Sequence, residues 1–210
     1  MIKVCGMTES ENIRQVEALG IDLMGFIFYP KSPRCVRQRP SYLPTSVQRV
    51  GVFVNASIEQ MQHIASEYAL HFIQLHGSEE PDLCQKLRRL GLKVIKAFPV
   101  ATASDLQQTS KYEDSCDLFL FDTKTPGYGG SGQAFNWNLL HEYHGSIPFL
   151  LSGGIGFESL PSLITFSHPR LAGYDLNSRF ESAAGIKDVA LLQNFLNSKK
   201  LYESNQPTIQ

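Results

Sequence analysis

The sequence lacks what marks a secreted, membrane-bound or polyanion-binding chain. It has only four cysteines in 210 residues, at positions 5, 35, 84 and 116, with no CxxC spacing, too few and too scattered to staple a domain of this size. They read as reduced thiols. No apolar run approaches the roughly 20 residues of a spanning helix, and a strand-like Ile2-Lys3-Val4-Cys5 stands where a signal peptide would carry its apolar stretch. A cytoplasmic protein without membrane contact is expected. Neither charge sign dominates: 19 Lys+Arg against 20 Asp+Glu leave a net charge of −1, which gives no electrostatic footprint for nucleic acid or an anionic surface. What remains, 42% hydrophobic residues with a mean hydropathy of −0.15, suits one compact globular domain.

Within that domain, apolar runs of strand character recur at regular intervals, each followed by a segment of helical period and a turn signal. Strands are expected at Ile2 to Met7, Leu23 to Tyr29, Val50 to Val54, Phe72 to His76, Lys93 to Phe98, Asp117 to Asp122, Phe149 to Ser152 and Gly173 to Leu176. Helices are expected at Glu9 to Leu19, Ile58 to Tyr68, Pro81 to Leu90, Ala103 to Tyr112, Asn136 to Tyr143, Phe157 to Thr165 and Ile186 to Ser198. The second connection, Pro30 to Gln48, carries Pro30, Pro33, Pro40 and Pro44, which leave room for a short helix only. Thr8 with Glu11 has the form of a capping box, and Ser57 stands where it would cap the next helix. Gly20 and Gly91 sit at helix ends. Leu118-Phe119-Leu120-Phe121 and Phe149-Leu150-Leu151 are apolar on both faces, as in a parallel sheet covered by helices. Eight βα units favour a closed (β/α)₈ TIM barrel over an open sheet. Residues 1–198 form this single domain, and 199–210, where apolar periodicity stops, form a fraying tail.

In such a barrel, function gathers at strand C-termini and the loops after them. Cys5 ends the first strand before Gly6, and a thiolate there would serve as a base or nucleophile, although a cysteine taken alone is more often a small buried hydrophobe. Asp122 follows four apolar residues, a partly desolvated setting that suits a general acid, although an Asp also caps its own loop. Asp175 ends the eighth strand and could orient a substrate hydroxyl or brace a loop. Arg34, after the second strand, has the fork geometry to clamp a carboxylate, and His76 faces the same mouth. Gly129, Gly130, Ser131 and Gly132 follow the sixth strand, Gly153 and Gly154 the seventh, and Asn177 and Ser178 the eighth. Glycines let backbone N–H groups approach an anion closely, so three such clusters in adjacent units point to phosphate. Residues Ser178 to Ser182 could supply a short extra helix there. His141 and His144 share a helix, but no third ligand has a suitable place, so no metal is expected.

Together these residues resemble the phosphoribosylanthranilate isomerase family of tryptophan biosynthesis. The resemblance runs from Lys3-Val4-Cys5-Gly6 through Ser32-Pro33-Arg34, Val50-Gly51-Val52-Phe53-Val54-Asn55, Gln74-Leu75-His76-Gly77 and Phe121-Asp122-Thr123. It continues through Gly129-Gly130-Ser131-Gly132, Ser152-Gly153-Gly154 and Asp175-Leu176-Asn177-Ser178 to Gly185-Ile186-Lys187-Asp188. The resemblance implies an Amadori rearrangement of N-(5-phosphoribosyl)anthranilate to 1-(2-carboxyphenylamino)-1-deoxyribulose 5-phosphate. It makes Asp122 the acid that opens the sugar ring and Cys5 the base that removes a proton from the second sugar carbon. Arg34 would face the anthranilate carboxylate and the glycine loops the phosphate. No cofactor or metal is implied, because the iminium intermediate is itself the electron sink. The partner is a small-molecule substrate, with monomer and homodimer both open.

Three positions depart from the family pattern. Ser131 stands where Thr is common, Arg179 where a small residue is frequent, and Ser152 where a small apolar residue usually precedes the glycine pair. A histidine-pathway isomerase of similar fold is the nearest rival, but that family uses an aspartate where this chain has Cys5. A noncatalytic phosphosugar-binding barrel is the other, and retention of both Cys5 and Asp122 argues against it.

Overall fold

The computed structural model describes residues 1–124 and 135–205. Eight parallel strands close into a barrel in chain order. They are β1 (Ile2–Cys5), β2 (Leu23–Ile27), β3 (Gln48–Phe53), β4 (Phe72–Leu75), β5 (Lys93–Val100), β6 (Leu118–Thr123), β7 (Phe149–Leu151) and β8 (Leu171–Leu176). The seam is the β1–β8 pairing, with Lys3 opposite Asp175 and Val4 opposite Leu176.

Successive strand residues point to opposite sides of the sheet, and here both sides are dry. Cys5, Leu23, Val50, Val52, Phe72, Ile95, Ala97, Leu118, Leu120 and Leu150 pack together inside the barrel. The alternate positions, among them Val4, Met24, Phe26, Ile73, Phe119, Phe121 and Phe149, pack against the outer helices. The doubly apolar runs are thus explained residue by residue: the leucines of Leu118 to Phe121 fill the lumen while the phenylalanines face outward. Outside, Phe98 meets Phe119 and Phe121 meets Phe149 edge-on at ring separations of 5.0 Å, a geometry favoured by the ring quadrupoles.

The helices are α1 (Ser10–Glu17), α2 (Ile58–Glu67), α3 (Pro81–Arg89), α4 (Leu160–Thr165) and α5 (Val189–Asn205). The predicted helices at Ala103–Tyr112 and within Asn136 to Tyr143 wind as tighter 3₁₀ segments, and α4 is entered through a 3₁₀ turn at Phe157–Ser159. Ser57 caps α2 as expected, accepting from the Gln60 amide at 3.2 Å. Gly20 and Gly91 adopt φ of +72° and +82°, the left-handed helix exit that glycine takes without strain.

Three expectations are corrected. Thr8 does not cap α1: Glu9 does, its carboxylate accepting from the Glu11 and Asn12 amides at 3.0 and 2.7 Å. The Thr8 hydroxyl instead donates to the Gly185 carbonyl at 2.9 Å. Second, no helix forms between β2 and β3; the proline-rich loop is tied down by Glu17 at the end of α1, which accepts from the Thr45 and Ser46 amides at 2.7 and 2.6 Å and from the hydroxyls of Ser46 and Tyr42. Third, the chain after β8 forms an antiparallel hairpin of β9 (Glu181–Ala183) and β10 (Ile186–Lys187), which moves the start of the last helix from Ile186 to Val189, and that helix runs past its expected end at Ser198 to Asn205, into the segment expected to fray.

Glu17 gives the loop a pH signature. Burial pushes its carboxyl up, but the hydrogen bonds from Tyr42, Ser46 and Thr45 outweigh burial and bring it from 4.5 down to about 2. A carboxyl lowered on folding stabilises the fold above its unfolded value and loses that contribution as pH falls through the folded one. Urea unfolding of Glu17→Gln at pH 7 is expected to show a loss of about 1–3 kcal/mol, the cost of unpairing buried donors. The gap to the unsubstituted protein should narrow steadily between pH 4.5 and pH 2.

Candidate active site

The C-terminal ends of the strands open into a cleft of about 830 Å³, its mouth and adjoining solvent included. Its walls combine Ile27, Tyr29, Val52, Val54 and Ile155 with Cys5, Arg34, Gln74, His76, Asp122, Ser152, Gly153, Gly154, Asp175, Asn177 and Ser178. Every predicted site residue among those described therefore faces one space. Gly129, Gly130, Ser131 and Gly132 lie outside the described residues.

Cys5 closes the top layer of the lumen and is 3% exposed. It fits because β2 carries Gly25 beside it, where a Cβ would stand 2.6 Å from Cys5 Sγ. Burial pushes the thiol above its ordinary range, against the attraction of Lys3 for the ionised form. Just beyond, Gly6 turns at φ +82°, and a Cβ there would meet Arg34 Cδ at 2.8 Å.

Asp122, across the mouth at the end of β6, is held from two sides. Its Oδ1 accepts from the Thr123 amide at 2.8 Å, and its Oδ2 lies 3.5 Å from His76 Nε2. The loop-bracing and catalytic readings of Asp122 are therefore compatible, since one oxygen serves each. His76 is oriented by Gln74, whose Nε2 lies 2.9 Å from Nδ1. With that amide donating, Nε2 carries the proton and points it at Asp122. Gln74 Oε1 is buried and has no partner among the described residues.

Arg34 reaches the cleft, but not as a vacant clamp. Its Nε and Nη2 edge is taken by Glu181, with contacts of 2.8 to 2.9 Å. Glu181 also accepts from Lys187 Nζ at 2.6 Å, and Lys187 Nζ donates to Asn177 Oδ1 at 2.8 Å. Burial pushes the Glu181 carboxyl up, yet the two cations prevail and hold it below its usual value. Lys187 is pushed down by burial despite its pairing with Glu181. The sequence reasoning missed Glu181 and Lys187, because only the unpredicted hairpin brings them beneath Arg34.

Asp175 faces the cleft but is engaged: Oδ1 accepts from Lys3 Nζ at 2.8 Å and Oδ2 from Ser152 Oγ at 3.3 Å. Lys3 was also missed, though its position two residues before Cys5 on one strand is a signal that alternation could have supplied. Gly153 and Gly154 adopt φ of +86° and +66°, and Ser178 opens a 3₁₀ turn, Ser178–Phe180, shorter than the helix expected to Ser182. Arg179 is turned to the rim, pairing with Glu158 at 3.2 Å. Among the described residues, no group of three or more His, Cys, Asp or Glu side chains is placed to hold a metal ion.

A carboxyl and a thiol lining one cleft at the mouth of a (β/α)₈ barrel, with left-handed glycines and an arginine on the same walls, fit an enzyme acting on a small anionic substrate. Comparison with known proteins narrows the class. The family model described as N-(5'phosphoribosyl)anthranilate (PRA) isomerase matches residues 2–198, and the chain belongs to that family. The N-(5'-phosphoribosyl)anthranilate isomerase of Phocaeicola vulgatus is 55% identical over 200 residues, spanning 95% of this chain and 98% of its own length. Among solved structures, the phosphoribosyl anthranilate isomerase of Thermotoga maritima superposes with a TM-score of 0.80 at 35% identity, covering 95% of this chain and 98% of that one. A structure of the isomerase in complex with reduced 1-(o-carboxyphenylamino)-1-deoxyribulose 5-phosphate gives 0.77 at 32% identity, covering 95% and 97%.

Gly153 offers a test of how tightly the site is set. A Cβ there would lie 2.3 Å from Thr123 Oγ1 and 3.2 Å from Asp122 Oδ1, at a φ of +86° that disfavours any side chain. Displacing a reacting group by about 1 Å can cost about 10²-fold in rate. Gly153→Ala is expected to lose activity on that scale while its circular dichroism stays unchanged; retained turnover would show that Asp122 has room to move.

Proposed function

We propose that Asp122 and Cys5 are the general acid and general base of an Amadori rearrangement carried out in this cleft. The isomerase activity on N-(5-phosphoribosyl)anthranilate, a step of tryptophan biosynthesis, follows from family membership. The observation that supports the residue roles is that Cys5 and Asp122, on strands from opposite halves of the chain, line one cleft.

The chemistry needs two proton transfers at different atoms. Asp122 gives its proton to the furanose ring oxygen as the bond from that oxygen to the first sugar carbon breaks. The anthranilate nitrogen lone pair forms the C=N bond in its place. The Cys5 thiolate then takes the proton from the second carbon, and the released electron pair moves toward the iminium to give the enolamine, which tautomerises to the ketone. His76 is placed to hold Asp122 in position and to carry hydrogen bonds to the sugar. Asp175 is the other candidate for a sugar hydroxyl.

The polar ends of the cleft suggest the orientation. Gly153 and Gly154, with Asn177 and Ser178, would receive the phosphate through backbone N–H groups and a hydroxyl, joined by the loop of Gly129 to Gly132. Arg34 would meet the anthranilate carboxylate with what its pairing to Glu181 leaves, while Ile27, Tyr29, Val52 and Val54 offer an apolar wall for the ring. The catalytic unit is residues 1–198, with α5 running on from it to Asn205. No helix among the described residues is long and apolar enough to cross a membrane, in keeping with a cytoplasmic enzyme.

Decay of substrate fluorescence measures the reaction. Cys5→Ala and Asp122→Asn are each expected to lower turnover by about 10²–10⁴-fold, the range for general acid or base groups, with smaller changes in KM. Near-normal turnover of Cys5→Ala would remove it as the base. Arg34→Ala should mainly raise KM; a fall confined to kcat would assign it elsewhere.

A further inference from the structure

Lys3 is a buried charged side chain that the acid-base scheme leaves without a role. It is fully buried inside the barrel, where it shares with Cys5 the inward face of β1. Its Nζ donates to Asp175 Oδ1 at 2.8 Å, and it stands opposite that residue in the strand register. Burial works against the ammonium, but the charges of Asp175 and Cys5 outweigh it and hold Lys3 protonated beyond its ordinary range. An apolar chain would fill the same space without the desolvation that a buried ion pair incurs. A strut is therefore a poor account of a lysine here.

We infer that Lys3 is a positioning residue for the isomerisation: its buried ammonium, anchored by Asp175, lies beneath Cys5 and supplies the positive charge that makes the thiolate attainable in a dry site. The inference rests on the reading of Cys5 as the base. Other charged groups also face the cleft. Asp175 opposes the thiolate, and Asp122 and His76 stand across the mouth, paired with each other. Lys187 and Arg34 are cations too, but both are bound to Glu181, Lys187 at 2.6 Å and Arg34 at 2.8 Å. Lys3 also favours the thiolate more strongly than Lys187 does.

The test follows Cys5 alone, by the rate at which iodoacetamide labels it, read by peptide mass mapping across a pH series in the unliganded full chain, with the pH profile of kcat/KM measured alongside. Lys3→Gln is expected to move the labelling midpoint upward by about one unit, making labelling about tenfold slower at a given pH, and to carry the acid limb of kcat/KM with it. Lys3→Arg, which keeps the charge, should restore both. If Lys3→Gln fails to fold, Lys3→Met is read in the same way. A folded variant with an unmoved labelling midpoint overturns the inference, as does a shift produced by Lys187→Gln and not by Lys3→Gln. A labelling shift without a shift of the acid limb supports Lys3 as the partner of the thiolate and instead removes Cys5 as the base, so the two readings fail separately.

Discussion

The seam between β1 and β8 is the constraint on which the molecule depends, because it turns an eight-stranded sheet into a barrel and the strand ends into one cleft. The seam is built by close approach. The N-terminal amine donates to the Ala172 carbonyl at 2.7 Å, and the Tyr174 amide donates to the Met1 carbonyl at 3.0 Å. A Cβ at Gly173 would lie 1.9 Å from that same carbonyl oxygen, so only glycine admits the pairing. One step further along the strands, the backbone register sets Lys3 against Asp175, and their ion pair bridges the seam inside the lumen. Ser152, just past the end of β7, reaches the same carboxylate. Closure and the electrostatics of the site are thus one piece of geometry.

A net charge of −1 conceals how the cleft is charged. Lys3, Lys187 and Arg34 converge on it, and Asp175 and Glu181 answer them. Two carboxylates against three cations leave the unliganded cleft with a positive excess on this side, suited to an anionic substrate but not so large that the apo fold must bear three uncompensated buried charges. Glu181 has a double effect. It holds the Arg34 guanidinium in a fixed plane, which lowers the entropy lost on binding, and it occupies the edge with which arginine would otherwise take a carboxylate bidentately.

The eight strands were legible because alternation and doubly apolar runs are local, and each strand formed within a few residues of where its pattern placed it. The helix caps were legible only in part. Ser57 behaves as its position suggests, whereas Thr8 is drawn away by the Gly185 carbonyl, a partner 177 residues distant. The hairpin of β9 and β10 was invisible for a related reason: Glu181-Ser182-Ala183 and Ile186-Lys187 are too short for period two to show, and their pairing serves to hold Glu181 and Lys187 at the site. The residues placed at strand ends, Cys5, Asp122, His76 and Asp175, did converge on one cleft, because barrel topology fixes their place. What could not be read was their partners, since Lys3 with Asp175 and Arg34 with Glu181 join residues 172 and 147 positions apart.

The choice of Cys5 as the proposed base can be understood from the same physics. The position at the end of β1 is nearly inaccessible, and an ionised carboxylate there would need desolvation on top of repulsion from Asp175. A thiol is neutral in the resting state and packs as a small hydrophobe against Gly25, Leu23 and the rest of the lumen, so the fold carries little cost until the proton must move. The cost is shifted to ionisation, and the upward displacement of the Cys5 thiol by burial is its expression. Asp122 has the opposite arrangement: half-buried at the rim, it keeps one oxygen on its own backbone and turns the other toward His76. The proposed acid sits at the rim and the proposed base at the top of the closed lumen, and both line the cleft. On the inward face of β1 beside that thiol, Lys3 with its partner Asp175 is the cation that would keep the proposed base from staying permanently protonated.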